Sequence, residues 1–128
     1  MAVHIVRLGT PRGAKEGIRI GTVRRPPRGV PKSEFASRNF YDVWLPNLAP
    51  TDELVKLALS GDAHDWKVFV RRYRAEMKAP QAVHLLDTLA ALSHRTDFSV
   101  GCYCENEAHC HRSILRELFK EHGAKVAR

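Results

Sequence analysis

The stretch GCYCENEAHCHRSILREL, residues 101–118, holds the side chains of this sequence with the greatest capacity for chemistry. It contains all three cysteines of the chain, two histidines and two arginines. Side chains of these types can ligate a metal, supply a nucleophilic thiol or bind an anion. The elements that position the stretch decide between these chemistries.

A reactive thiol is the first interpretation. Cys110 stands at the start of a predicted helix between His109 and His111, with Arg112 one residue further. A helix N-terminus and neighbouring cations lower the pKa of a thiol and favour the nucleophilic thiolate. We therefore predict Cys110 as the catalytic residue if a reaction occurs, with His109 or His111 as its base. The sequence leaves open whether the chain is an enzyme.

A metal site is the second interpretation. Cys102, Cys104 and Cys110 could ligate zinc, but structural zinc ligands usually arrive in C-x2-C pairs. A C-x-C pair on a strand points both thiols to one face, where neutral cysteine packs as a small hydrophobic residue. We predict no metal and no cofactor, and a small structural metal site at the three cysteines stays an alternative.

Anion binding is the third interpretation. His111, Arg112 and Ser113 occupy the amino end of the predicted helix, where unpaired N–H groups and about half a positive charge favour a phosphate or carboxylate. An arginine fork and a hydroxyl would add side-chain donors. Alternatively, Arg112 only pairs with Glu105 or Glu107 across the turn. We favour a phosphate-bearing or other anionic ligand at turn 102–113.

The charge distribution supports an anionic partner. Residues 1–40 contain nine Lys/Arg and two Asp/Glu, whereas residues 41–128 contain twelve of each, so the first third carries the whole net charge of +7. Such asymmetry suggests a nucleotide or nucleic acid, and also fits a merely solvated surface. Arg25 and Arg28, in the basic Pro-rich loop 24–39, are the predicted further ligand-binding residues. They reach the turn only if strands 18–24 and 98–104 run parallel.

The hydrophobic pattern predicts an α/β fold. Predicted strands span 3–8, 18–24 and 98–104, and predicted helices begin after Thr51, after Asp62, at Pro80 and at His111. In the second helix a single apolar stripe runs from Trp66 to Met77. These elements predict one compact domain over residues 1–128, with a small, mostly parallel sheet covered by helices in Rossmann-like layers. The site would lie in its strand–turn–helix unit, 98–122.

Segment 35–46 is rich in aromatic residues and allows two interpretations. Its Phe35, Phe40, Tyr41 and Trp44 adjoin the basic loop and could stack nucleobases. Such residues more often anchor a long loop onto the core, and we expect that role here.

Four short motifs in order resemble the Domain of Unknown Function 488 family, in its YeaO-like group. They are RRPPRGVPK (24–32), YDVWLPNLAPTDEL (41–54), WKVFVRRYRAEM (66–77) and CYCENEAHCHRSIL (102–115). The resemblance covers nearly the whole chain and implies a small prokaryotic α/β domain without an established activity. Arg28 and Gly29 match the family's Pro-Arg-Gly element, and Cys110, His111 and Arg112 match its Cys-His-Arg element.

Composition excludes some classes of protein. No apolar run approaches the roughly 20 residues that a membrane span needs. An odd number of cysteines and the charged start MAVHIVRLGT indicate a reduced, cytoplasmic protein. The expected partner is an anionic small molecule or a nucleic acid, and not a membrane. Two further functions stay open, which are a thiol-dependent enzyme using Cys110 and a sequence-nonspecific nucleic-acid-binding module.

Overall fold

A four-stranded parallel sheet is the centre of the structure, a computed structural model that describes all residues, 1–128. Along the sheet the strands follow the order β1-β4-β2-β3, and every neighbouring pair is parallel. The strands are β1 (Val3–Arg7), β2 (Ile18–Gly21), β3 (Val43–Trp44) and β4 (Phe98–Cys102). The central strand β4 is buried along its whole length, as expected for a parallel strand covered on both faces.

Four helices pack with this sheet, namely α1 (Asp52–Leu59), α2 (Ala63–Glu76), α3 (Pro80–Leu92) and α4 (His111–Glu121). Three single-turn 3-10 helices cover Lys32–Glu34, Pro46–Leu48 and Glu107–His109. The predicted α/β class, with a small parallel sheet covered by helices, is therefore confirmed. No helix in the structure has both the length and the apolarity that a membrane span requires.

The strands are shorter than predicted. We expected β2 to reach Arg24, but it ends at Gly21, and β4 ends at Cys102 rather than at residue 104. Beyond Gly21 the side chain of Arg24 turns away from the sheet and donates to the carbonyls of Ala49 and Pro50. Sequence analysis missed β3 because a strand of two residues is too short to show periodicity.

The strand order meets the condition under which Arg25 and Arg28 can reach the cysteine-rich turn. β2 pairs with β4 in parallel register, from Ile18 opposite Phe98 to Gly21 opposite Gly101. Consequently the basic loop after β2 and the cysteine-rich turn after β4 leave the same edge of the sheet. In open α/β sheets ligands collect at this carboxyl edge.

The apolar stripe of α2 lies in the core, as predicted. Phe69 and Tyr73 are fully buried, and Met77 is 4% exposed. The Tyr73 hydroxyl donates to the carbonyl of Leu48 at 2.6 Å, which satisfies the polar end of this buried ring. Asp62 caps the helix as predicted, because its carboxylate accepts from the backbone N–H groups of residues 64 and 65.

Two details of the helices differ from expectation. Thr51 is the N-cap residue of α1, but its hydroxyl donates to Glu76 instead of accepting from a backbone N–H. The sequence predicts that Arg71, Arg72 and Arg74 form a solvated face opposite the apolar stripe, but Arg74 also pairs with another helix. Its guanidinium binds Glu117 and Glu121 at 2.7 and 2.9 Å and thereby connects α2 to α4.

Arg19 is a buried cation that holds two loops together. Its side chain is 1% exposed and pairs with Glu16 at 2.9 Å. The same guanidinium donates to the carbonyls of Thr10, Pro11 and Asn39, so the loop after β1 and the end of the basic loop are tied to β2. Arg19 is counted in the positive charge of residues 1–40, but its side chain is buried inside the protein and not on the surface.

We expect Arg19→Met to lower the free energy of unfolding by about 3–5 kcal/mol, because it leaves Glu16 and three carbonyls without their donor. Urea denaturation at neutral pH measures the change. Arg71→Met is the control, since Arg71 is exposed on α2 and should change stability by less than about 0.5 kcal/mol. Equal effects of the two substitutions would contradict this role of Arg19.

Candidate functional site

A pocket of about 380 Å³ opens at the carboxyl edge of the sheet, where β2 and β4 end. One wall comes from the residues after β2 (Val23 to Arg25) and another from the end of β4 and the start of α4. Apolar residues of α1 and Phe69 of α2 close the side that faces the helices. The volume is in the range of small-molecule sites, and the wall is mostly apolar with a few polar groups.

The three cysteines meet in this pocket wall. Cys102 and Cys110 are 2% and 1% exposed, and their sulfur atoms are 2.7 Å apart. Cys104 is half-buried and also lines the pocket. Because β4 ends at Cys102, the chain at Cys104 has already left the sheet. Cys104 is the least buried of the three thiols.

The thiol cluster lowers the pKa of Cys104 below that of an ordinary thiol. Interactions with the Cys102 and Cys110 thiols lower the pKa of Cys104, and the positive charge of Arg112 acts in the same direction. The interaction with Cys104 raises the pKa of Cys102. The interaction with Cys102 lowers the pKa of Cys110, but the interaction with Cys104 and burial outweigh it, so the net shift is upward. These directions favour ionisation of Cys104 before Cys102 or Cys110.

His111 connects the cluster to β2. Its Nε2 lies 2.7 Å from the carbonyl oxygen of Thr22, which can only accept, so Nε2 carries the proton. Burial lowers the pKa of His111 to about 4, and the ring is therefore neutral at physiological pH. Its Nδ1 then has a free lone pair, 3.7 Å from the sulfur of Cys110. The ring is oriented as a proton acceptor for that thiol.

The same atoms could hold a metal. Cys102 Sγ, Cys110 Sγ and a ring nitrogen of His111 lie within 4.8 Å of one another, and all three residues are buried. Metal-binding histidines usually donate their second N–H to a carbonyl, as His111 does. A metal site therefore stays an alternative. Its ligands would be Cys102, Cys110 and His111 instead of the three cysteines predicted from the sequence.

The predicted anion-binding residues of α4 have partners inside the protein. His111 and Arg112 are 7% and 4% exposed. Arg112 donates to the carbonyl of Cys104, while its Nε is buried without a partner. The hydroxyl of Ser113 donates to the carbonyl of Cys110. Arg112 does not pair with the acidic residues of the turn, since Glu107 binds Arg116 instead.

The two predicted arginines of the basic loop differ in position. Arg25 lines the pocket, and its side chain is 77% exposed and pairs with Asp52 of α1 at 2.9 Å. Arg28 is exposed in the same loop but is not part of the pocket wall. The structure thus brings Cys110, His111 and Arg25 to one pocket and leaves Arg28 outside it.

Sequence analysis gave too little weight to Cys104 and Tyr103. The C-x-C alternation placed Cys104 beside Cys102 on one strand face, and that inference fails because the strand ends between them. Tyr103 also lines the pocket, and its hydroxyl donates to the carbonyl of Arg25 at 2.9 Å. No pattern in the sequence indicates this contact, which links the turn directly to the basic loop.

Comparison with known proteins identifies the family. The DUF488-N3a family model, described as "Active DUF488-N3 subclade", matches residues 3–123. No curated protein and no solved structure shows a significant match to the chain. The match extends from the first strand to the end of the last helix, so the family assignment made from the four short motifs is confirmed. This chain is a member of the DUF488 family.

Proposed function

We propose that this protein is a thiol-dependent enzyme that acts on a small molecule with an anionic group. The observation that carries the proposal is the convergence of three thiols at the wall of a 380 Å³ pocket. Cysteine is often a plain core residue, but a thiol at the wall of a pocket is also placed to meet a small molecule. The description of the matched family as an active subclade agrees with a catalytic role.

Cys104 is the proposed nucleophile. It lines the pocket and is less buried than the other two thiols, and its pKa is lowered by interaction with both of them and with Arg112. Donors and positive charge around a sulfur atom stabilise the thiolate, which is the reactive form. Attack forms a bond from Cys104 Sγ to an electrophilic atom of the substrate, and the leaving group departs with the pair of electrons from the bond that breaks.

Cys110 and His111 are the proposed proton-handling pair. The Cys110 thiol lies within reach of the free Nδ1 of His111, and Thr22 fixes the ring through Nε2. A nucleophile next to a base, with the base oriented by a third group, is a recurring catalytic arrangement. That Cys110 is itself the nucleophile stays a prediction. Modification by iodoacetamide distinguishes it from the assignment to Cys104.

Arg25 is the proposed binding residue for the anionic group of the substrate. Both side chains of its ion pair with Asp52 are exposed, and an exposed ion pair contributes little to the free energy of folding. A phosphate or carboxylate that enters the pocket can therefore replace Asp52 as the partner of the guanidinium fork. Arg28 lies three residues further along the loop, outside the pocket wall.

Iodoacetamide should modify one thiol rapidly, at Cys104, with a rate that changes little between about pH 6 and pH 8. A free thiol loses about tenfold in rate for each pH unit below its pKa, whereas a thiolate with a depressed pKa does not. Mass spectrometry of a tryptic digest locates the adduct. Cys104→Ser should abolish the rapid reaction and Cys110→Ser should retain it.

Two other outcomes decide against this assignment. Rapid modification of Cys110, preserved in Cys104→Ser, would make Cys110 the nucleophile. Protection of all thiols, together with one equivalent of zinc or iron in protein purified without a histidine tag, would make Cys102, Cys110 and His111 a metal site. In that case a chelator should lower the melting temperature, because the ion would stabilise the fold.

Inorganic phosphate at millimolar concentration should slow the modification of Cys104 severalfold, because it occupies the pocket beside Arg25. Arg25→Ala should remove this protection without changing the rate in phosphate-free buffer. Arg71→Ala is the control, since it removes an exposed arginine of α2 and the same unit of charge. Equal protection in Arg25→Ala and in the wild type would exclude Arg25 as the anion-binding residue.

A further inference from the structure

A second pocket of about 510 Å³ lies between the basic loop and strand β3 and shares no lining residue with the thiol pocket. Its walls contain three aromatic side chains, one lysine and one aspartate. We propose that this pocket binds a nucleobase with an attached phosphate, as presented by a free nucleotide or by a single strand of nucleic acid. The inference is independent of the thiol chemistry proposed above.

Trp44 offers the stacking surface. Its side chain is 44% exposed, although it is a large aromatic group. The indole N–H donates to the carbonyl of Val23 at 2.8 Å, so the ring is held in one orientation and its polar group is already satisfied. A fixed, exposed aromatic face is the surface on which a nucleobase stacks, with a free energy of about 1–3 kcal/mol per base.

Phe35 and Tyr41 form the inner part of the pocket. Their ring centroids are 5.2 Å apart, and Tyr41 is 4% exposed. The two rings give the inner part of the pocket an aromatic wall against which a base can pack.

The charges around the pocket favour an anion. Lys32 lines it, is exposed and has no carboxylate within 4.0 Å. The one acidic residue of the wall, Asp42, is neutralised by Arg12 through two hydrogen bonds at 2.7 and 3.2 Å. The ammonium group of Lys32 is therefore the uncompensated charge of the wall. An aromatic surface beside a free cation suits a base with its phosphate better than an uncharged or cationic ligand.

Fluorescence of Trp44 gives a direct test. The chain has two tryptophans, and Trp66 stacks on Phe69, outside this pocket. Trp66→Phe therefore leaves Trp44 as the only reporter. We expect adenosine monophosphate or a thymidine octanucleotide to quench its emission in a saturable manner. Inorganic phosphate and adenosine, each tested alone, should bind at least tenfold more weakly.

Substitutions in the pocket test both parts of the ligand, with calorimetry on the otherwise wild-type chain as the readout. Trp44→Leu should weaken binding by tenfold or more through loss of stacking. Lys32→Gln should weaken binding severalfold and lower the dependence of affinity on salt by about one phosphate contact. Lys67→Gln is the matched control, since it removes an exposed lysine of α2 and should change neither.

The two ligand sources give different results, and both support the proposal. Tighter binding of the octanucleotide than of the mononucleotide identifies a single strand, and the reverse order identifies a free nucleotide. The proposal is overturned if neither binds at millimolar concentration, if phosphate alone binds as tightly as the nucleotide, or if Trp44→Leu and Lys32→Gln bind as well as the wild type. If phosphate still protects Cys104 in Trp44→Leu, the proposal for the thiol pocket stands even when the proposal for the second pocket fails.

Discussion

The buried hydrogen bond between His111 and the carbonyl of Thr22 determines the arrangement of the site. It joins the amino end of α4 to the residue that follows β2, two segments separated by 89 positions. Since the carbonyl can only accept, the bond places a proton on Nε2, and burial lowers the pKa of the ring so that its other nitrogen is free toward Cys110. One contact thus sets the position of α4, the tautomer of the histidine and the environment of the thiols.

This contact requires β2 and β4 to end side by side, and two glycines permit that. Gly21 pairs with Gly101 across the two strands. A Cβ atom at Gly21 would lie 2.4 Å from the ring of Tyr41, and one at Gly101 would lie 2.5 Å from the carbonyl oxygen of Val6. A larger residue at Gly21 would therefore displace the ring of Tyr41, and one at Gly101 would separate β4 from β1. The close approach brings the basic loop and the cysteine-rich turn into contact, where Tyr103 bonds to Arg25.

The basic first third of the chain serves two purposes that sequence alone does not separate. Arg19 and Arg12 neutralise Glu16 and Asp42 and hold loops in place. Lys32 and Arg28 have no carboxylate partner and contribute positive potential near the pockets. A count of charges is the same for a buried structural cation and for an exposed one. Only the fold shows which positive charges are free for a ligand.

The spacing of the apolar residues and the helix-capping residues predicted the helices and the α/β class, because both signals are local in the sequence. Asp62 and the α2 stripe are examples. The thiol site was only partly predictable. That Cys110 and His111 would lie at a helix start followed from the sequence, but the proximity of Cys104 depends on where β4 stops, which is set by pairing with distant strands. The contact of His111 with Thr22 likewise has no local signature.

A pH titration of thiolate ultraviolet absorbance tests the central claim most directly, because it measures the charge of the cluster without a substrate or a reagent. We predict absorbance of one thiolate per chain that persists below about pH 6 and disappears in Cys104→Ser. Thiolate absorbance that appears only above about pH 8, with the same profile in the wild type and in Cys104→Ser, would contradict the claim that the cluster holds a thiolate at Cys104.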